Sequence, residues 1–318
     1  MKIVVLDGFL VTRGDLDFAP LEEFGELAVY GYTPPEQVVS RLAGAGAAFL
    51  NRTPISREIL SACPQLRFIG VTGTGVNMID LAAAAQKGVA VCNVPGYSTA
   101  AVAQMTMALL LDIACSVSLL NGYLHAGRWQ IPEDKQIAST RLFELSGKTM
   151  GLVGFGAIGR QTAHLAKAFG MRTIYSRRRP LPEDTPAAGY RPLEELLEQS
   201  DVVSLHCPLT EKTRGMIDET ALSHMKPGAV LLNTARGGLI DSAAVARALE
   251  SGRLYAAGLD VLDEEPPKKG HPLIGHSRCV ITPHVAWAPA ETRRRLIEAC
   301  AENLRAFLAG RPQNLQRP

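Results

Sequence analysis

Three segments of this chain end in a polar side chain just after a run of apolar residues: "LLNTARGG", "GLDVLDEEPP" and "ITPHVAW". They supply Arg236, Glu265 and His284, each on the carboxyl side of a predicted strand, where open α/β sheets bind ligands. The residue types define a chemistry. An arginine fork grips an anion through paired hydrogen bonds. An imidazole with an ordinary pKa of about 6.5 gives and takes a proton near neutrality. A carboxylate beside it orients the ring and favours its charged form. Taken singly, each residue has a plainer reading: Arg236 as partner of a surface acid, Glu265 as a solvated loop charge, His284 as filler of a gap. Their joint placement is what points to a site, with Asp263 and Glu264 as rival acids in the same segment.

A second pattern precedes these. In "KTMGLVGFGAIGRQTAHLAKAFG" a buried strand ends at Val153, and Gly154, Gly156 and Gly159 follow in G-x-G-x-x-G spacing. A helix then begins with Ala157 and Ile158 and runs to about Phe169. The first glycine permits a tight turn, the second lets backbone approach a pyrophosphate, and the third allows close helix–strand packing. Phosphate then sits on the free N–H groups of the helix start. The next strand, "MRTIYS", ends about twenty residues on, where a carboxylate would bind the adenosine ribose. Here the chain offers Ser176 followed by Arg177 and Arg178. Guanidinium groups bind phosphate oxygens, so the exchange selects NADP(H) over NAD(H), with NAD(H) the secondary cofactor. The alternative is a solvated arginine run in a loop, and the second triplet, Arg293 to Arg295, reads only as the polar side of a helix.

The elements that must position these groups alternate along the chain. Short runs such as "KIVVLD", "AAFLN", "LRFIGV" and "VAVCNV", then "TMGLVGFG", "RTIYS", "VVSLHCP", "AVLLNT", "AAGLDV" and "CVITPH", are separated by helical patterns. Such alternation implies parallel sheets flanked by helices. Two series imply an α/β protein of two Rossmann-like or flavodoxin-like domains with parallel sheets. The boundary falls near "NVPGYST", where Pro95 and Gly96 punctuate the chain. We expect residues 1–97, completed by a final helix within 288–318, to form a substrate domain, and residues 98–287 to form a dinucleotide-binding domain. The piece "RRRPLPEDTPAAGY" reads as a loop.

Composition narrows the classes. With 318 residues, 47% apolar and 20% charged, the chain is globular and long enough for two cores. A net charge of +2 gives neither a nucleic-acid footprint nor a membrane-surface protein. The run Ala100 to Leu120 is apolar but holds Asp112 and Gln104; a central carboxylate costs about 2.5–3.5 kcal/mol on insertion. It reads instead as part of one long helix from Ser98 to about Ala126, with Val102, Met105, Leu109, Ile113, Val117 and Leu120 at helical spacing. Six cysteines without a C-x-x-C pair fit structural thiols in a reduced compartment. A strand signal that starts at residue 2 leaves no room for an export signal, so a cytoplasmic protein is expected. His125, His164, His224, His271 and His276 show no metal-ligand spacing, and no metal is expected.

The ordered set "GKTMGLVGFGAIGR", "VVSLHCPLT", "KPGAVLLNTARGGLID", "GLDVLDEEP" and "TPHVAW" resembles the D-isomer-specific 2-hydroxyacid dehydrogenase family over almost the whole chain. The resemblance implies that Arg236, Glu265 and His284 form the catalytic group in an interdomain cleft. Arg236 would hold a 2-oxo acid by its carboxylate and keto oxygen, and His284 would protonate that oxygen. It implies that backbone N–H groups of Thr74 and Gly75, in "VTGTGVNMID", meet the substrate carboxylate, with Asn51 and Arg52 beside them; a helix cap or turn contact is the alternative for that pair. It places Pro208 and Thr210 beside the dinucleotide and Thr234, Ala235 and Asp260 near the nicotinamide, while His206 reads as structural. "HVAW" and "NVPGYST" are most similar to the glyoxylate reductase, hydroxypyruvate reductase and glycerate dehydrogenase branch. Trp287 would narrow the pocket toward short acids, or else pack in a core. The implied activity is NADPH-dependent reduction of glyoxylate or hydroxypyruvate by a homodimer, the long helix being the dimer element. Reductases of bulkier 2-oxo acids, formate or phosphite dehydrogenases, and dinucleotide-sensing corepressors resemble the same family.

Overall fold

Short apolar runs become strands, the inner ones buried on both faces, and among the described residues every pairing between strands is parallel. The computed structural model describes residues 1–128, 135–181 and 189–318. The chain divides into two compact units, one of Met1–Ser98 with Trp287–Pro318 and one of Thr99–Ala286. Of the loop expected at 177–190, residues 182–188 lie outside the described residues.

In the first unit, β1 (Lys2–Val5), β2 (Glu26–Val29), β3 (Ala45–Leu50), β4 (Phe68–Val71) and β5 (Ala90–Cys92) form a five-stranded sheet in the order β2-β1-β3-β4-β5. The edge strand β2 was not among the expected runs, because "ELAV" is short and only partly buried. The Ala290–Leu308 helix covers this sheet, burying Leu296, Ile297, Cys300 and Leu304 against Ile3, Val5, Phe49 and Phe68. Beyond it the chain adds an isolated antiparallel bridge, Leu315 to Cys92.

In the second unit, β6 (Thr149–Val153), β7 (Arg172–Ser176), β8 (Gly189–Tyr190), β9 (Val202–Leu205), β10 (Ala229–Asn233), β11 (Leu254–Leu259) and β12 (Cys279–Ile281) form a seven-stranded sheet. Its order is β12-β11-β10-β9-β6-β7-β8. The strand order reverses beside β6, and that reversal opens a crevice at the carboxyl ends of the strands.

The long helix expected at 98–126 is instead two, Thr99–Cys115 and Val117–His125, bent by 57° at Ser116. Ser116 adopts φ +50°, and Asp112 Oδ1 accepts a hydrogen bond from Ser118 N at 2.8 Å. The carboxylate thus caps the start of the second helix, satisfying a donor that has no partner within its own helix. Val102, Leu109 and Ile113 are buried, whereas Val117 is 59% exposed. Among the described residues no single helix is long and apolar enough to cross a membrane.

The arginine triplet 293–295 is also not a uniform polar face. Arg294 and Arg295 are exposed, but Arg293 is only 4% exposed. Its Nε donates to Ala288 O, its Nη1 to Val11 O and Thr12 O, and both terminal nitrogens to the Asp15 carboxylate, at 2.6–2.9 Å. The Arg293 guanidinium holds the Asp15 carboxyl below the usual carboxylate range. Replacing Arg293 with Met keeps the buried stem and removes the donors. We expect the orphaned carbonyls to lower the unfolding free energy by about 1–3 kcal/mol, read from chemical denaturation; an unchanged midpoint would mean that solvent satisfies them.

Candidate active site

The candidate catalytic residues singled out from sequence, Arg236, Glu265 and His284, sit on the segments that follow β10, β11 and β12. Arg236 follows β10 and is exposed. Its turn is set by Asn233, which is fully buried: Asn233 Nδ2 donates to Arg236 O at 2.9 Å and its Oδ1 accepts from Ala235 N at 3.0 Å. Sequence reasoning passed over Asn233, although an asparagine that ends a strand can fold its side chain onto the next turn. Arg236 Nη1 donates to Ala235 O at 2.7 Å.

Each acid of "DEEPP" takes a different partner. Asp263 Oδ1 accepts from Ser242 Oγ at 2.9 Å and lies 2.8 Å from His271 Nε2. Partial burial opposes ionisation there, but these hydrogen bonds prevail and hold the carboxyl below its ordinary range. Glu264 pairs with Lys268 at 2.7 Å. Glu265 Oε1 accepts from Leu262 N at 3.1 Å, and its Oε2 lies 2.6 Å from His284 Nδ1. The direct contact among the three expected residues is therefore between Glu265 and His284, both half-buried. With Nδ1 engaged by the carboxylate, Nε2 is the nitrogen left to exchange a proton with a ligand.

His284 lies in a loop that Asp260 holds. Asp260 directly follows β11 and is 1% exposed; its Oδ1 accepts from Thr282 Oγ1 at 2.6 Å and Val285 N at 2.9 Å, and its Oδ2 from Ala286 N at 2.9 Å. Its backbone carbonyl accepts from His284 N at 2.8 Å. His284 itself has φ +53°, a conformation that costs a non-glycine residue about 1–2 kcal/mol.

The glycine turn fits a dinucleotide. Gly154 has φ +97°, and a Cβ there would meet backbone atoms of His206 and Cys207 at 2.6–2.7 Å. A Cβ on Gly159 would lie 2.5 Å from Gly154 O, whereas one on Gly156 would meet nothing within 4 Å. The turn is packed tightly below and open above, over the N-terminus of the Ala157–Ala168 helix, as approach of a pyrophosphate requires. Ala157 is exposed and Ile158 half-buried on that first turn. Ser176 is buried at the end of β7, and Arg177 and Arg178 follow it exposed.

Thr213 shapes the 208–213 loop, donating to Pro208 O at 2.7 Å and accepting from Thr210 N at 2.8 Å. Thr234 is buried, its Oγ1 2.8 Å from that of Thr106. Thr106 was another residue missed, since a threonine inside a helix carries no spacing signal. Ala235 is half-buried beside Thr234. Burial pushes the His206 imidazole down to about 4, with Ser204 Oγ 2.9 Å from Nε2, so the ring is neutral near pH 7. The neighbouring Cys207 thiol is pushed up to about 11 by burial.

In the first unit, Asn51 is half-buried, Arg52 and Thr74 are exposed and Gly75 is half-buried, on the loops after β3 and β4. Trp287 packs half-buried against the core under the Ala290–Leu308 helix, and the Arg13 guanidinium lies 5.8 Å above its ring. Among the described residues one group has atoms placed to ligate a cation: Glu194, Glu198 and His224. The His224 nitrogens lie 3.3–3.4 Å from the two exposed carboxylates.

Residues 107–286 match the family described as D-isomer specific 2-hydroxyacid dehydrogenase, NAD binding domain. The chain is 43% identical to a hydroxypyruvate reductase of Blautia hydrogenotrophica, over 99% of this chain and 99% of that protein. It is 41% identical to a glyoxylate reductase of Aeropyrum pernix, over 89% and 87%. Among solved structures, the TT0316 protein of Thermus thermophilus superposes with a TM-score of 0.86 at 39% identity, covering 98% of each chain.

The Asp260 clamp has a direct test. Asp260→Asn sets an amide NH2 against a donor that the carboxylate now satisfies, a mismatch worth about 1–3 kcal/mol. We expect the amides of 284–286 to exchange with solvent faster while those of β10 and β11 are unchanged, as read by hydrogen-exchange mass spectrometry. Equal protection in both proteins would assign the loop's conformation to other contacts.

Proposed function

Because the chain belongs to the D-isomer-specific 2-hydroxyacid dehydrogenase family, we propose that it reduces a short 2-oxo acid, glyoxylate or hydroxypyruvate, to the D-2-hydroxy acid, with NADPH preferred and NADH the lesser donor. The observation that carries this reading is the 2.6 Å contact between Glu265 and His284, at the carboxyl end of a sheet that also bears the glycine turn.

The bound reduced nicotinamide supplies a hydride to the 2-carbon of the acid. Arg236 grips the substrate through its carboxylate and keto oxygen, using the planar fork that lysine lacks. His284, protonated with Nδ1 held by Glu265, gives its Nε2 proton to the keto oxygen and is left neutral; in the reverse direction it takes that proton back. Thr74 and Gly75 offer backbone N–H groups to the carboxylate, with Asn51 and Arg52 beside them, and Trp287 limits the room for longer side chains. Gly154, Gly156, Ala157, Ile158 and Gly159 would hold the pyrophosphate, and Pro208 and Thr210 would border the dinucleotide. Thr234 and Ala235 would border the nicotinamide, as would Asp260, whose carboxylate also holds the 282–286 loop. Ser176 admits a 2′-phosphate where a carboxylate would repel it, and Arg177 and Arg178 bind its oxygens.

In this reading the unit of Thr99–Ala286 holds the dinucleotide and the other unit the substrate. Exposed Val117, Leu119 and Leu124 on the second half of the bent helix pair support a homodimer, and free cysteines support a cytoplasmic setting.

Initial rates with glyoxylate, hydroxypyruvate, pyruvate and phenylpyruvate, each with NADPH and NADH, test the proposal. The first two acids with NADPH should give the highest kcat/KM; faster turnover with NADH would overturn the role given to Ser176, Arg177 and Arg178. No turnover of any acid would favour a dinucleotide sensor. His284→Gln should lower kcat by about 10²–10⁴-fold, and unchanged turnover would remove His284 from the proton transfer. Arg177→Ala with Arg178→Ala should raise the KM for NADPH and leave that for NADH unchanged.

A further inference from the structure

One buried carboxylate close to the proposed substrate loops has no part in the chemistry above. Asp7 follows β1 and is 4% exposed. Its Oδ1 accepts from Asn51 N at 2.7 Å, and its Oδ2 from Arg52 N at 2.7 Å, Thr53 N at 2.9 Å and Thr53 Oγ1 at 3.0 Å. Three successive backbone N–H groups that converge on one anion make a nest, and here the anion is the protein's own. The geometry follows from the sheet: β1 and β3 are parallel neighbours with Val5 opposite Phe49, so the side chain after one strand reaches the loop leaving the next.

The contact continues beyond that loop. Asn51 Nδ2 donates to Thr72 O, and Thr72 N donates to Leu50 O at 2.8 Å, which ties the start of the 72–75 loop to the end of β3. From the other side Asn93 Nδ2 donates to Thr74 O at 2.7 Å, and Thr74 Oγ1 donates to Val94 O at 3.1 Å. Asp7 is the charged member of this series, and every other link in it is a bond between neutral groups.

We propose that Asp7 is a positioning residue for substrate: by filling the nest at 51–53 it fixes Asn51, and through Asn51 the backbone of 72–75 that receives the substrate carboxylate. This rests on the reading of Thr74 and Gly75 given above. A filled nest has a second consequence. Backbone N–H groups at 51–53 would otherwise attract a small carboxylate themselves, and with Asp7 in place an incoming acid is left the N–H groups of 74 and 75.

The test compares wild type with Asp7→Asn, which keeps the shape and loses the charge, and with Thr53→Val, a milder variant that removes one of the four bonds and serves if the first does not fold. Two readouts are taken: hydrogen exchange at 51–53 and 72–75, and steady-state rates with glyoxylate and NADPH. We expect exchange at both loops to quicken by about tenfold or more while the interiors of β3 and β4 are unchanged. The KM for glyoxylate should rise about tenfold for Asp7→Asn, and less for Thr53→Val, with kcat and the KM for NADPH changed by less than about twofold. Unaltered exchange at 72–75 in both variants overturns the proposal. So does a parallel loss of kcat, NADPH affinity and sheet protection, which would mark Asp7 as merely structural. A wild-type protein that reduces none of the acids sinks the functional reading alone, and exchange at 72–75 still decides the part of Asp7.

Discussion

The imidazole of His284 meets Glu265 only because its backbone is held at φ +53°, and a histidine does not rest there unaided. The cost of that conformation is about 1–2 kcal/mol. Against it stand three hydrogen bonds from the 282–286 loop to the Asp260 carboxylate, and bonds to charged groups contribute about 1.5–3 kcal/mol each. Two of these bonds, at about 3 kcal/mol together on the low side, already exceed the strain. The backbone that presents the ring is therefore held by the Asp260 carboxylate, and Glu265 engages Nδ1.

The same device recurs in the other unit, where Asp7 holds the loop at 51–53 as Asp260 holds the loop at 282–286. Both aspartates follow strands of parallel sheets, and the topology explains why. A parallel ladder satisfies the backbone within the sheet, but each strand then releases a loop whose first N–H groups have no neighbour to pair with. A buried carboxylate on the adjacent strand end supplies several acceptors at one point. Asn233 holds the turn at Arg236 with a neutral amide.

Much of the scaffold could be read from the sequence because strand signals are local. "TMGLV", "VVSL" and "AVLLN" are mostly apolar, as strands covered on both faces tend to be, every residue in them is buried, and the glycine spacing marked the turn after β6. The "DEEPP" segment offered three acids, and only folding distributes them: Asp263 to Ser242 and His271, Glu264 to Lys268, Glu265 to His284. What stayed illegible depends on contacts distant in the chain. Asp7 lies more than forty residues from its partners, and nothing near it in sequence distinguishes it from a solvated acid. β2 and β8 were missed because strands of four and two residues at sheet edges carry little apolar signal. The bend at Ser116 was hidden because the apolar spacing runs through it; the break comes from Asp112 turning back to cap Ser118.

The two arginine triplets differ in whether helical periodicity acts on them. Arg293 falls three, four and seven residues before Leu296, Ile297 and Cys300, so the helical period that buries those side chains buries Arg293 with them. Burial then demands a partner for every donor, and the chain provides three carbonyls and Asp15. Arg177, Arg178 and Arg179 follow the end of β7 outside any helix or strand, where no period can turn one of them inward. Identical composition gives a structural bolt in one case and exposed cations in the other. The difference matters for ligand binding, because a guanidinium committed to carbonyls at 2.8–2.9 Å has no fork left for a phosphate, whereas an exposed one beside a glycine turn can still choose its anion.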